Sequence, residues 1–207
     1  MQPSSSERSG AVAGIVLAAG GSSRMGRNKL LLPFGEETVL RRSVRCAISA
    51  GLDPVLVILG YEAEWAQAEL DGLPCRAIVN PEWARGMNGS LAVGIDAVPV
   101  DALAAVVALA DMPRVTPEMI AGLVERYRRT GVAIVASDYG GILAPPTLFD
   151  RRLFGELQER EGEGCGRRVV ERHLADASRV TWPADALGDL DRPADYQRLL
   201  AELPRRS

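Results

Sequence analysis

The chain has 207 residues, 47% of them apolar, which suits one domain with a full core and excludes an intrinsically disordered chain. No run of about 18 apolar residues occurs, so no membrane-spanning helix is expected. A net charge of −3 argues against a general nucleic-acid binder, which would carry a basic face. Cys46, Cys75 and Cys165 are odd in number and widely spaced, without a zinc pattern or disulfide framework, so a reducing cytoplasm is expected.

Residues 1–10 (MQPSSSERSG) are polar and read as a mobile tail with no apolar stretch of the signal-peptide type; residues 11–207 read as one domain. Ala11–Ala19 (AVAGIVLAA) is uninterrupted apolar sequence, as expected of a strand buried on both faces. A Gly-, Ser- and Arg-rich loop, Gly20 to Asn28, follows. Thr38–Ala50 is predicted helical, with Leu40, Val44, Ala47 and Ile48 on one face and Gly51 as its stop. Then come a strand over Pro54–Leu59, a helix over Glu62–Leu70, a strand over Arg76–Val79, a helix over Gly89–Ala97 and a strand over Leu103–Leu109. Thr116 caps a helix reaching about Arg129, and Ala133–Ala136 is a fifth strand. The alternation of apolar strand and amphipathic helix predicts an α/β domain with a mostly parallel sheet flanked by helices. Residues 138–149, rich in Gly and Pro, read as a loop with a short edge strand. Helical pieces near 150–159 and 166–174, a strand over Arg179–Trp182 and a helix near Pro193–Glu202 complete the chain.

Ligands of open parallel sheets bind outside the carboxyl ends of strands, and three segments fall at such ends. The first is LAAGGSSRMGRNKLLLPFG, Leu17 to Gly35. Its glycines permit close approach, its successive N–H groups suit an anion, and Arg24 and Lys29 add cations. A polyphosphate fits this set, and a solvated Gly/Ser turn with stray basic residues is the plain alternative. Neither the Walker nor the dinucleotide spacing is present. Lys29 is the chain's one lysine beside 23 arginines. Either codon bias left it there, or the position needs a compact ammonium that a guanidinium cannot replace. As a loop side chain it is expected to be exposed and to add little to stability.

The second segment is Asp111, directly after LAAVVAL, which suits Mg²⁺ binding or the capping of a turn before Pro113. The third is Asp189-Leu190-Asp191-Arg192-Pro193, which offers a second metal ligand or simply an acidic helix N-terminus with Pro at its first position. Asp111 and Asp191, meeting without nucleotide, are expected to repel each other. His173, the lone histidine, sits in a predicted helix away from these motifs. Cys165 is either a reactive thiol or a small residue that fits between glycines. Trp83 either covers a ligand or packs.

LAAGGSSRMGRNKLLLPFG resembles the signature of nucleotidyltransferases with a Rossmann-like, glycosyltransferase-A-type fold. NPEWARGMNGSL (Asn80 to Leu91), ALADMP (Ala108 to Pro113), APPTLF (Ala144 to Phe149), GEGCGRRVV (Gly162 to Val170) and DLDRP follow in the order found in the molybdenum cofactor cytidylyltransferase family, which the chain resembles over nearly all of residues 13–200. The chain departs from that pattern at Ala110, at Ala144-Pro145, at Glu163 and Cys165-Gly166, and at Arg192.

The resemblance implies a Mg²⁺-dependent transferase that joins CTP to a molybdopterin-type cofactor and releases pyrophosphate. The alternatives are another nucleotide or phosphorylated acceptor on the same fold, and a non-catalytic module that delivers the cofactor. By the resemblance, Leu17, Ala18, Ala19, Gly20 and Gly21 line the nucleotide site and Arg24 and Lys29 hold phosphates. Gly86, Met87 and Ser90 border the base with Asn80 nearby, and Asp111 and Asp191 bind Mg²⁺, with Asp189 the lesser partner. Arg24, Lys29 and Asp111 would be the catalytic groups. Ala18-Ala19-Gly20, where guanine-using relatives commonly carry Ala-Gly-Gly, implies CTP. Transient contact with a molybdenum hydroxylase or its chaperone is implied as well, with no nucleic acid or membrane as partner.

Overall fold

The computed structural model describes residues 9–22, 25–160 and 164–203. In chain order its strands are β1 (Val12–Ala18), the two-residue β2 (Pro33–Phe34) and β3 (Glu37–Thr38), β4 (Val55–Leu59), β5 (Arg76–Val79), β6 (Ala104–Leu109), β7 (Ile134–Tyr139), β8 (Ile142–Asp150) and β9 (Ser178–Trp182). Its helices are α1 (Val39–Ser49), α2 (Ala63–Ala68), α3 (Met87–Asp96), α4 (Pro117–Thr130), α5 (Phe154–Leu157), α6 (Cys165–Arg172) and α7 (Pro193–Ala201). The expected tail falls largely on residues 1–8, outside the described residues.

Seven strands form one sheet in the order β5-β4-β1-β6-β8-β7-β9. The pairs β4–β5, β1–β4, β1–β6 and β7–β9 are parallel, and β8 runs antiparallel to both its neighbours. Every residue of β1 and β4 is buried, because both faces of the sheet are covered. Val12, Val16, Val55 and Val57 meet α1, α4 and α7 on one side, while Ala13, Ile15, Leu56 and Ile58 meet α3, α5 and α6 on the other. The period-two alternation of a strand thus serves two separate cores.

Local chemistry accounts for the helix ends. Thr38 accepts a hydrogen bond from the Arg41 N–H at the start of α1, and Thr116 accepts one from the Met119 N–H at the start of α4. Gly51 and Gly131 follow α1 and α4 with φ of 78° and 65°, the left-handed conformation in which helices commonly end. Helix α3 begins two residues before its predicted start, after Gly86, whose φ of 116° and ψ of 175° belong to a region that only glycine occupies freely.

Residues 138–149 differ from the sequence expectation. They form a Gly140-Gly141 hairpin turn and most of β8, a nine-residue strand inside the sheet instead of a short strand at its edge. Both glycines have positive φ, as a two-residue hairpin turn requires. Pro145 and Pro146 have no N–H for a ladder. The register accordingly shifts between Ala136 and Ser137, which leaves both prolines out of the pairing. Their carbonyls accept hydrogen bonds from the Tyr139 and Ser137 hydroxyls at 3.0 and 2.7 Å. The bulge makes a proline pair compatible with an interior strand.

The chain fills the sheet from β1 outward to β4 and β5, with α1 on one face. It then crosses the opposite face through α3 to place β6 on the other side of β1. The strand order therefore reverses between β1 and β6, the position at which open α/β sheets bind ligands. The crossover packs tightly: a Cβ on Gly94 of α3 would lie 2.6 Å from the Ile15 Cγ2 of β1. Gly94→Val should therefore cost about 2 kcal/mol or more and lower Tm by about 4–8 °C, measured by differential scanning calorimetry. An unchanged Tm would show that α3 can stand off from β1.

Candidate active site

At the reversal point Leu17 of β1 pairs with Leu109 of β6, and the Ala110 N–H donates to the Leu17 carbonyl at 3.0 Å. Both leucines line a cavity of about 420 Å³. Ala18, Ala19, Gly20, Gly21 and Ser22 form one side, Gly86, Met87 and Ser90 another, and Lys29, Asp111 and Asp191 its polar end. The two glycines differ in purpose. A Cβ at Gly20 would meet nothing within 4 Å, whereas at Gly21 it would come to 3.0 Å from the Trp83 ring. Trp83 is a wall of the cavity and also packs: its ring stands edge-on to Tyr61 with 5.5 Å between centroids. Beneath it, a Cβ on Gly60 would lie 2.5 Å from the Trp83 Cβ. Gly60 was missed in the sequence, although a glycine closing an apolar strand is a signal for close approach.

Lys29 is held from its backbone outward. Its N–H donates to the Ser22 Oγ at 3.0 Å. The Asn28 carboxamide accepts from the Leu30 N–H at 3.1 Å and opens a short 3-10 turn over Lys29–Leu31. The Lys29 ammonium then lies 2.5 Å from the Asp111 Oδ2 and 3.3 Å from the Asp191 Oδ1. Asp111 follows β6 directly. Asp191 is brought 80 positions back along the chain by the Leu190 N–H, which donates to the Asp111 carbonyl at 3.0 Å, and by the fully buried Leu190 side chain. The start of α7 is closed by Asp195, whose carboxylate accepts from the Arg192 N–H at 2.9 Å. Asp191 points instead to Lys29, and Asp189 is exposed and outside the cavity lining.

Two expectations change here. The carboxylates do not confront each other bare, because the ammonium stands between them. Nor is Lys29 an exposed loop side chain, since only 13% of it is accessible. Lys29→Ala would remove the ammonium that both carboxylates contact, so a loss of about 1–2 kcal/mol is expected, between the surface and buried limits for ion pairs.

The other predicted residues are placed as follows. Leu17 to Gly21, Gly86, Met87 and Ser90 line the cavity, and Arg24 lies outside the described residues. Asn80 stands behind the lining. Its buried carboxamide donates to the Ser90 Oγ at 3.0 Å and accepts from the Glu82 N–H at 3.0 Å, so it holds the wall. His173 Nε2 lies 2.8 Å from Glu156 and borders neither this cavity nor the next. Among the described residues no group of three His, Cys, Asp or Glu side chains could hold a metal. The pair Asp111–Asp191 does suit Mg²⁺, which binds through one or two carboxylates and completes its shell with substrate phosphates and water. Their oxygens are no further apart than the sum of their distances to the ammonium.

A second cavity, of about 600 Å³, shares Leu17, Met87 and Leu109 with the first. Its walls are mainly apolar, with Leu91, Val107, Leu143, Phe149 and Val170 among them. Ala144-Pro145 and Cys165-Gly166, where the chain departs from the pattern it resembles, also line it. Asn88 joins the two regions: its Oδ1 accepts from the Cys165 N–H at 2.8 Å, fastening the start of α6 to the start of α3. The Cys165 thiol is buried and donates to the Glu156 carbonyl at 3.2 Å, and burial pushes its pKa up. It therefore stays protonated near neutral pH and serves as a small filler, not a nucleophile. In the native protein at pH 8, iodoacetamide should modify Cys165 at least about 100-fold more slowly than in the denatured chain. Rapid native labelling, read by mass spectrometry, would restore the reactive-thiol reading.

Residues 14–177 match the family model for the MobA-like NTP transferase domain. The chain is 30% identical over 201 residues to the purine catabolism protein PucB of Bacillus subtilis, covering 91% of this chain and 96% of that one. It is 30% identical over 169 residues to the nicotine blue oxidoreductase of Paenarthrobacter nicotinovorans, covering 78% and 81%. Among solved structures, Rv0371c of Mycobacterium tuberculosis H37Rv superimposes with a TM-score of 0.81 at 29% identity over 93% of this chain and all of that one. A structure of Rv0371C has also been solved in complex with manganese. Among the described residues, no helix is long and apolar enough to cross a membrane. The matched span, the relatives and the cavity at the sheet's reversal point agree, and the chain belongs to the MobA-like NTP transferase family as a single-domain α/β nucleotidyltransferase.

Proposed function

We propose that this nucleotidyltransferase uses Mg²⁺ to transfer a cytidylyl group from CTP to a molybdopterin-type cofactor. The observation that carries the reading is the convergence of a glycine loop, one ammonium and two carboxylates at the carboxyl ends of β1 and β6, beside a second cavity. The acceptor's phosphate attacks the α-phosphorus, a new phosphoanhydride bond forms there, and the bond to pyrophosphate breaks. The nucleophile is already ionised at neutral pH, so the chain's task is positioning and charge stabilisation, the terms that dominate phosphoryl transfer. Mg²⁺, when bound, neutralises phosphate oxygens. Asp111 and Asp191 would hold it, and Lys29 would meet the charge that develops on the departing pyrophosphate.

The base would lie against the start of α3, where Gly86 offers no capping side chain and the Ser90 hydroxyl borders the cavity. That hydroxyl suits the carbonyl of cytosine, and Ala19 narrows the floor against a purine. The apolar second cavity suits the ring system of the acceptor, with the acceptor phosphate at the seam formed by Leu17, Met87 and Leu109. The product would pass to its user by transient contact with a molybdenum hydroxylase or its chaperone. A cytoplasmic setting accords with three free cysteines.

Pyrophosphate release measured with CTP, GTP or ATP, with and without molybdopterin, tests this reading. Release should require the acceptor, and kcat/KM should favour CTP over GTP by about tenfold or more, equivalent to about 1.4 kcal/mol. Equal use of GTP would overturn the cytosine assignment, and release that ignores molybdopterin would overturn the acceptor. In the same assay Asp111→Asn should lower turnover by about 100-fold or more, and Asp191→Asn by less, since an amide carbonyl can still ligate. Lys29→Arg should not restore activity, because a planar fork does not fit where a compact ammonium does. Near-normal turnover of Lys29→Arg would reduce the lone lysine to codon usage.

A further inference from the structure

Lys29 stands where the metal would go. Its ammonium touches both carboxylates at 2.5 and 3.3 Å, inside a trio whose side chains are 13%, 20% and 35% accessible. A divalent ion ligated by the same oxygens at about 2.0–2.1 Å would fall within contact distance of that ammonium, and the two cations would repel strongly in a half-buried setting. The backbone of Lys29 is fixed by Ser22 and by the turn that Asn28 opens, so the moving part is the flexible four-carbon stem. Gly20 lines the same cavity, and a Cβ there would meet nothing within 4 Å.

We infer that Lys29 is a resident cation of the Asp111–Asp191 pair, and that a divalent ion competes only weakly for this place until a polyphosphate arriving at the glycine loop draws the ammonium away. This rests on the metal-binding reading of the two carboxylates, but not on the base or the acceptor. Free of ligand, the ammonium offsets part of the carboxylates' charge and ties the turn at Lys29 to the end of β6 and the segment before α7. Polyphosphate and metal then bind with positive coupling, each raising the affinity for the other, as linkage requires. An arginine would serve poorly, since its broad fork cannot sit between two carboxylates and then turn to a phosphate on the same short path.

Mn²⁺ alone, without nucleotide, is titrated into the full chain and into Lys29→Met, Lys29→Ala and Asp111→Asn, with loss of the free-ion EPR signal reporting binding. Removing the competing ammonium should tighten Mn²⁺ binding by about tenfold or more in both lysine variants, and Asp111→Asn should weaken it. If Asp111→Asn weakens binding while neither lysine variant tightens it, the exchange is wrong and the metal site stands. If Asp111→Asn changes nothing, the metal reading itself fails and the exchange falls with it. A second measurement uses the unmodified chain. With one lysine in the sequence, ¹³C-lysine labelling gives a single side-chain Cε signal. Inorganic triphosphate should shift that signal and Mg²⁺ alone should not. An equal shift with Mg²⁺ alone would overturn the proposed order.

Discussion

The ammonium of Lys29 between Asp111 and Asp191 joins three segments that are far apart in sequence: the glycine loop after β1, the end of β6 and the approach to α7. Two carboxylates at this spacing would repel without a cation, and partial burial weakens the screening by water, more at Asp111 than at Asp191. A positive group at this point is therefore a requirement of this packing, apart from any chemistry. The surrounding structure serves that requirement. Ser22 and Asn28 fix the lysine backbone, β6 delivers one carboxylate, and the buried Leu190 with its backbone hydrogen bond delivers the other.

Around this centre the sheet provides rigidity and a place. The chain reverses its direction of growth between β1 and β6, so the loops after these strands diverge and leave a crevice. Helix α3 makes the crossover and, by beginning at Gly86, also presents its first turn to the cavity. Asn80 braces Ser90 from behind, and Asn88 fastens α3 to α6. The wall of the first cavity and the second cavity are thus tied through two buried carboxamides, which suits the proposed reaction, whose two partners must be aligned at one phosphorus.

The uninterrupted apolar runs of β1, β4 and β6 were legible in the sequence, since strands covered on both faces cannot carry charge. So were the cap at Thr116, the stop at Gly51, and the glycine loop with its lysine. The interior position of β8 was not, because a Pro-Pro pair and a Gly-Gly pair read locally as a loop. Only the bulge opposite Ser137, with two hydroxyls satisfying the proline carbonyls, admits them to the sheet.

Asp191 shows the same boundary between sequence and structure. Its local sequence, an acidic residue before an Arg-Pro helix start, suits a helix terminus as well as a ligand, and residue types alone do not choose between them. The backbone bond from Leu190 to Asp111 sets its place, because it brings Asp191 to Lys29 while Asp195 closes the helix. The sequence by itself determined the α/β class, the loop chemistry and the residue types available for phosphate and metal, since these follow from local pattern and side-chain chemistry. Which carboxylates meet, which cation contacts both and which glycine faces the open cavity instead of Trp83 were decided by tertiary structure, because each depends on contacts between residues tens of positions apart.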